Sequence, residues 1–102
     1  MINVIAIVTT QPGKRAELLH AIHRNLLAIR AEDGCIEFGP TIDASGPRDL
    51  QVPLGDDVLV LVEKWASVEA LEAHLQAPHM IEYFARTQAL VAHAVVHVLS
   101  AA

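Results

Sequence analysis

The sequence predicts an α+β fold on the ferredoxin-like split βαβ plan, and three observations carry the prediction. Along the chain the segments run strand, helix, strand, strand, two-part helix, strand, with no internal repeat beyond the two halves. The segments INVIAIV, VLVLV and AVVHVL are apolar on both parities, the pattern of strands covered on both sides. The helical segments instead confine their apolar residues to one stripe. At 102 residues the chain has room for one core, so residues 1–102 read as a single domain.

The first strand falls at residues 2–9, INVIAIVT, and ends at the turn-like Gln11-Pro12-Gly13. From Lys14 to about Ala31, Leu18, Leu19, Ile22, Leu26 and Ile29 recur at helical spacing. Asp33-Gly34 stops that helix. CIEFGPTID follows as a weaker strand with Ile36, Phe38 and Ile42 on one parity, and Gly39 and Pro40 mark a bulge or an edge position. Residues 44–57, ASGPRDLQVPLGDD, have no period and form a loop long enough to be a candidate lid. DVLVLVEKW is a buried strand, and Ser67 is positioned to cap a helix with Val68, Leu71 and Leu75 on one stripe. Pro78 drives Ala77 out of helical geometry, so a second helix is expected from about Pro78 to Val91, and HAVVHVLS closes the chain as the last strand.

Right-handed crossovers place both helical parts of this plan on one face of the sheet, yet the strands are apolar on both faces. Hydrophobic residues make up 53% of the chain and charged residues only 19%, more apolar surface than one monomer is expected to bury. Both points predict a homodimer through the bare sheet face. The net charge of -5, with seven scattered Lys and Arg, argues against nucleic acid and anionic membranes as partners. The lone Cys35 and a start without a basic n-region or a long apolar run lead to the expectation of a cytoplasmic protein. No phosphate loop, cysteine pair or nucleophile elbow supports a nucleotide cofactor or covalent catalysis.

Chemistry-bearing residues gather in EKWASVEALEAHLQAPHM, residues 63–80. Strand parity puts Leu59, Leu61, Glu63 and Trp65 on one face, so a carboxylate and an indole share the strand's end. There Trp65 can line a pocket and donate its N–H to a bound oxygen, or simply pack. His74 sits beside the apolar stripe, where an imidazole can reach a cavity as a proton acceptor or serve as a hydrogen-bonded structural residue. His79, at the proline break, can face the same cavity or solvent. Asn3 shares parity with Ile5 and Ile7 and can hydrogen-bond a ligand at the sheet's end, while Tyr83 and Phe84 lie where one can line a cavity and the other pack. No metal site is expected. His93 and His97 are roughly 13 Å apart at ~3.3 Å per residue, and His20 with His23 lacks a third ligand.

DGCIEF, VLVLVEKWAS and ALEAHLQAPHM, with the opening VIAIVTTQPGK, resemble the antibiotic biosynthesis monooxygenase family over nearly the whole chain, and within it the bacterial quinol monooxygenases most closely. The resemblance implies a dimeric α+β barrel with a pocket between helices and sheet in each subunit. It also implies oxidation of quinols or phenolic polycycles by O₂ without metal, flavin or haem. Glu63, Trp65, His74, Pro78 and His79 match the family pattern. Haem-degrading relatives carry their iron-ligating histidine where this chain has Phe84, and relatives acting on anthrones carry an asparagine before the Trp65 position that DVLVLVEKW lacks.

The expected function is therefore cofactor-free monooxygenation of a quinol-like or related phenolic molecule. His74 is the first choice as base and His79 the second. Trp65 and Asn3 would orient oxygen atoms, Glu63 would bind substrate, and Phe38, Tyr83 and Phe84 would shape the pocket. The alternatives are a non-catalytic dimeric binding protein for small aromatic ligands, since a fold does not fix a function, and a small-molecule isomerase using the same histidines.

Overall fold

In the computed structural model, which describes residues 1–46 and 49–102, the chain folds as β1 (Ile2–Thr10), α1 (Arg15–Arg30), β2 (Cys35–Thr41), β3 (Val58–Trp65), α2 (Val68–Gln76), α3 (Pro78–Thr87) and β4 (Val91–Leu99). The four strands form one antiparallel sheet in the order β2-β3-β1-β4. This is the α+β, ferredoxin-like arrangement the segment order predicts.

Alternation along β1 is strict: Ile2, Val4, Ala6, Val8 and Thr10 are buried, while Asn3, Ile5, Ile7 and Thr9 are half-buried on the other face. Leu18, Ile22 and Ile29 of α1, Leu71 of α2, and Met80 and Tyr83 of α3 pack with Val4, Val8, Leu59 and Trp65 in one core. Burying a side chain such as Leu18 or Leu59 is worth about 1.5–3 kcal/mol, so this inner face, more than helix propensity, holds the short helices in place. Register carries the inner face across the sheet in rows. Phe38, Glu63, Val4 and Val98 stand opposite one another on β2, β3, β1 and β4.

Two connections lock the helices to the sheet. Gly34 follows α1 with φ +84°, and a Cβ there would approach the Ala70 Cβ to 2.6 Å, so the α1–β2 turn lies directly on α2. The Gly34 carbonyl accepts the Ala66 N–H at 2.8 Å, tying the same turn to the end of β3. Ser67 caps α2 by accepting the Ala70 N–H at 3.1 Å, and Ala77 is extended at φ -60°, ψ 137°, which separates α2 from α3 at Pro78 as the proline predicts.

Three sequence expectations are corrected. Ile36 does not share a face with Phe38. A bulge between Cys35 and Glu37 flips the parity, leaving Ile36 54% exposed and Phe38 5% exposed. Ile42 lies beyond the strand and is also exposed. On α2 the buried residues are Leu71 and His74, while Val68 and Leu75 are about half exposed, so the histidine is the centre of the stripe rather than its neighbour. Finally, α3 ends at Thr87, and a 3-10 turn over Gln88–Leu90 leads into β4, which starts at Val91.

The opposite face of the sheet is covered by no described element. Ile5, Ile7, Val58, Val60, Val62 and Val95 share it, with His93 and His97 opposite Thr9 and Ile5. No helix is long and apolar enough to cross a membrane, among the described residues.

Candidate active site

Between the inner face of the sheet and the helices lies a cavity of about 660 Å³. Phe38, Glu63, His74, Tyr83 and Phe84, all anticipated from the sequence, line it. Its wall is otherwise almost wholly aliphatic, with Val4, Ala6, Val8 and Leu61 from the sheet and Leu18, Ile22 and Leu71 from the helices. None of the described loop residues 44–46 and 49–57 lines it, and residues 47–48 of the candidate lid lie outside the described residues. The loop instead closes on itself, with the Asp43 carboxylate accepting the Leu54 and Gly55 N–H groups at 2.9 to 3.0 Å.

His74 is 3% exposed and held from three sides. Its ring stacks on Trp65 with centroids 4.6 Å apart and faces Phe38 at 5.6 Å. Its Nδ1 lies 2.7 Å from Glu32 Oε2. A carboxylate only accepts, so Nδ1–H donates to Glu32, and in the neutral ring Nε2 is then the nitrogen with a free lone pair. This is the tautomer of a general base, and the carboxylate behind it would stabilise the imidazolium that forms when a proton is taken.

Glu32 is the candidate site residue that sequence reading missed. One signal was present: Glu32 and Asp33 end a helix, where the dipole favours cations, and an acid against that preference asks for a specific partner. The partner comes from 42 residues downstream, brought by the close packing of the Gly34 turn on α2.

Trp65 is placed differently from the role expected of it. It is fully buried, does not line the cavity, and donates its indole N–H to Glu63 Oε1 at 2.9 Å. Its N–H is thus spent on orienting a carboxyl group, not on a ligand. Burial pushes the Glu63 carboxyl above the ordinary glutamate range, a shift that the Trp65 hydrogen bond and the nearby His74 oppose and that Glu32 adds to. Burial likewise raises the Tyr83 phenol, keeping it neutral, and burial with the charges of Glu32 and Glu63 raises the Cys35 thiol, which makes it a poor nucleophile.

His79 does not line the cavity. Its Nε2 is 3.7 Å from Glu32 Oε1, too long for a hydrogen bond, and both its ring nitrogens are shielded from solvent without a hydrogen-bond partner. It therefore approaches the site only from behind Glu32. Asn3 is not brought to the site at all. Strand alternation puts it on the opposite face with Ile5 and Ile7, where it pairs in register with Lys64, whereas Val4 faces the cavity. Among the described residues, no three of His, Cys, Asp and Glu converge as a metal site would require.

Phe38 is fixed by an unusual clamp on an edge strand. Arg30 donates from Nε and Nη2 to the Phe38 carbonyl at 3.1 and 2.9 Å, so the last turn of α1 holds both Phe38 and, two residues on, Glu32. One helix end thus positions an aromatic wall and the carboxylate behind the base.

The family model for antibiotic biosynthesis monooxygenases matches residues 1–86. A curated protein of Escherichia coli (strain K12), named "Probable quinol monooxygenase YgiN", is 35% identical over 85 residues, covering 81% of each chain. Among solved structures, Rv0793 from Mycobacterium tuberculosis aligns at TM-score 0.79 and 29% identity over 99% of this chain and 94% of its own. PA3566 from Pseudomonas aeruginosa aligns at TM-score 0.81 and 22% identity over 99% and 93%, a likeness of fold. With the family model spanning most of its length and a curated relative above 30% identity, this chain belongs to the antibiotic biosynthesis monooxygenase family.

Proposed function

We propose that the protein is a cofactor-independent monooxygenase that oxidises a quinol or related phenolic molecule with O₂, acting as a homodimer through the open sheet face. The observation that carries this reading is the His74–Glu32 pair, an imidazole whose Nδ1 is held by a carboxylate and which lines an aliphatic and aromatic cavity. The quinol name of the 35% identical relative supports the substrate class.

In this reading His74 Nε2 takes a proton from a quinol hydroxyl, and Glu32 stabilises the imidazolium. Glu63, oriented by Trp65, hydrogen-bonds the second ring oxygen from the sheet. The quinolate gives one electron to O₂, and the semiquinone and superoxide combine at a ring carbon. His74 returns its proton to the ring peroxide, and the O–O bond breaks as the ring carbon loses its own hydrogen as a proton, so that the departing hydroxide and that proton leave as water. One oxygen atom stays on the ring, giving a hydroxyquinone, and the substrate supplies all four electrons that reduce O₂. The protein's part is a dry pocket, a base and fixed hydrogen bonds.

Oxygen uptake with menadiol, measured against its autoxidation rate, tests this reading. Catalysed uptake that His74→Ala abolishes is the expected result. Uptake at the uncatalysed rate, with menadiol or its quinone still bound, would instead favour a non-catalytic binding protein.

A further inference from the structure

We propose that the substrate is a quinol or phenol carrying a long unsubstituted hydrocarbon tail, which lies along the inner face of β4. The inference rests on the site read above as a quinol site, and it names the part of the substrate that the ring chemistry leaves open.

The cavity is larger than its polar end needs. Its volume of about 660 Å³ lies in the middle of the ~300–1,000 Å³ range that encloses drug-sized ligands, and a one- or two-ring quinol fills only the minor part of it. The polar groups of the sheet floor stop at Glu63. Beyond it, in the same row, come Val4 and then Val98, and the neighbouring rows end in Val96 and Ala94 on β4. Two interstrand spacings of about 4.8 Å separate Glu63 from Val98, and the four residues from Val98 back to Ala94 add roughly 13 Å along the strand. A ring held at Glu63 and His74 thus sees an aliphatic path of roughly 16 Å on the diagonal of those spacings, about the length of an extended dodecyl chain.

Val96 and Val98 line the cavity yet are 59% and 50% exposed, and Phe84, on the opposite wall, is 46% exposed. The cavity therefore runs without interruption from a sealed polar end to an open apolar mouth. A fused polyphenol would place hydroxyl and keto groups along this floor, where no sheet side chain beyond Glu63 can hydrogen-bond them. The polar side chains beyond His74 are Tyr83, Thr87 and Gln88 on the helix side, and the Thr87 hydroxyl already donates to the Tyr83 carbonyl at 2.8 Å. A hydrocarbon tail needs no such partners, and each buried methylene adds a factor of roughly three to four in affinity.

The experiment compares menadiol with quinols of the same ring bearing a prenyl or decyl tail, below their critical micelle concentrations, and with a fused tricyclic phenol. Turnover is followed by oxygen uptake and binding by quenching of Trp65, the only tryptophan and in contact with the His74 ring. The expected KM for the decyl quinol is at least about tenfold below that for menadiol, given the gain per methylene. That ratio should shrink in Val96→Asn and Val98→Asn. Equal KM values in the wild-type protein, as would follow if a second copy of the chain covered β4, overturn the proposal, and so does preferred turnover of the tricyclic phenol. If no quinol is turned over but the decyl quinone binds more tightly than menadione, the oxidation reading fails and the tail site stands. If neither turnover nor a difference in binding is seen, both fall.

Discussion

The two faces of this sheet are built from similar residues and end in different conditions. On the inner face, Val4, Leu59 and Trp65 are closed over by three helices of the same chain, and two ionisable groups buried there are each held by a partner, Glu63 by Trp65 and His74 by Glu32. On the outer face, Ile5, Ile7, Val60 and Val62 form an equally apolar surface, and no described element covers it. A closed face can carry a buried base and an acid of altered pKa, because low polarity and fixed partners make small geometric choices count. An open face of the same composition can carry only an association.

The largest expected effect breaks the inner face at its chemistry. His74→Ala should lower kcat by about 10²–10⁴-fold, as loss of general base catalysis does, with substrate still bound by Trp65 quenching. Glu32→Gln, which can still accept the Nδ1–H hydrogen bond but cannot balance an imidazolium, should give a kcat between wild type and His74→Ala. A Glu32→Gln protein with wild-type kcat at every pH would remove Glu32 from the mechanism.

The outer face is tested by charge. Ile7→Asp leaves the inner row of β1 untouched and should weaken the proposed dimer by roughly 100-fold or more, as an unpaired charge in a buried interface does. Sedimentation velocity over a dilution series reads it. A dimer of unchanged affinity would move the interface elsewhere.

Geometry rather than chemistry is tested at Gly34. Gly34→Ala meets both a φ of +84° and the Ala70 Cβ, and should cost about 1–3 kcal/mol from the backbone conformation alone, read by urea unfolding. Adding Ala70→Gly should relieve the contact and recover part of the loss, while the backbone part remains. Full recovery would mean that the backbone conformation itself costs little.

The smallest effect is electrostatic. With its carboxyl raised by burial, Glu63 stays protonated in the folded protein at pH values where the unfolded chain has already ionised. Stability is therefore lost as pH rises from the ordinary glutamate value of 4.5 to the raised one, and it stays lower above. Glu63→Gln keeps an acceptor for the Trp65 N–H and removes that loss, so its Tm should overtake the wild-type value as pH rises through this window. Parallel Tm curves for the two proteins would show that burial leaves no net shift on Glu63.

The inner face was legible in the sequence where one element decides its own geometry. The parity of β3, the Ser67 cap and the break at Pro78 depend on neighbours in sequence, and each stands where local rules put it. What was not legible depends on pairing across the fold. Asn3 could not be assigned a side because β1 is apolar on both parities, so only the helices packed on it decide which parity faces the cavity. Ile36 lost its expected face to a bulge that exists only because β2 pairs with β3. Glu32 was overlooked because its meaning lies in a histidine on another helix.

The bond between Glu32 and His74 also has a kinetic meaning. Glu32 follows the helix of the first βαβ half and His74 belongs to the second, so neither half alone contains the pair proposed as the base. Helices and the β1–α1 unit can form early from contacts close in sequence, but this pair waits for the docking of one half on the other, a long-range closure. During refolding, recovery of turnover should therefore lag behind helical circular dichroism, making activity itself a clock for the last assembly step of the fold.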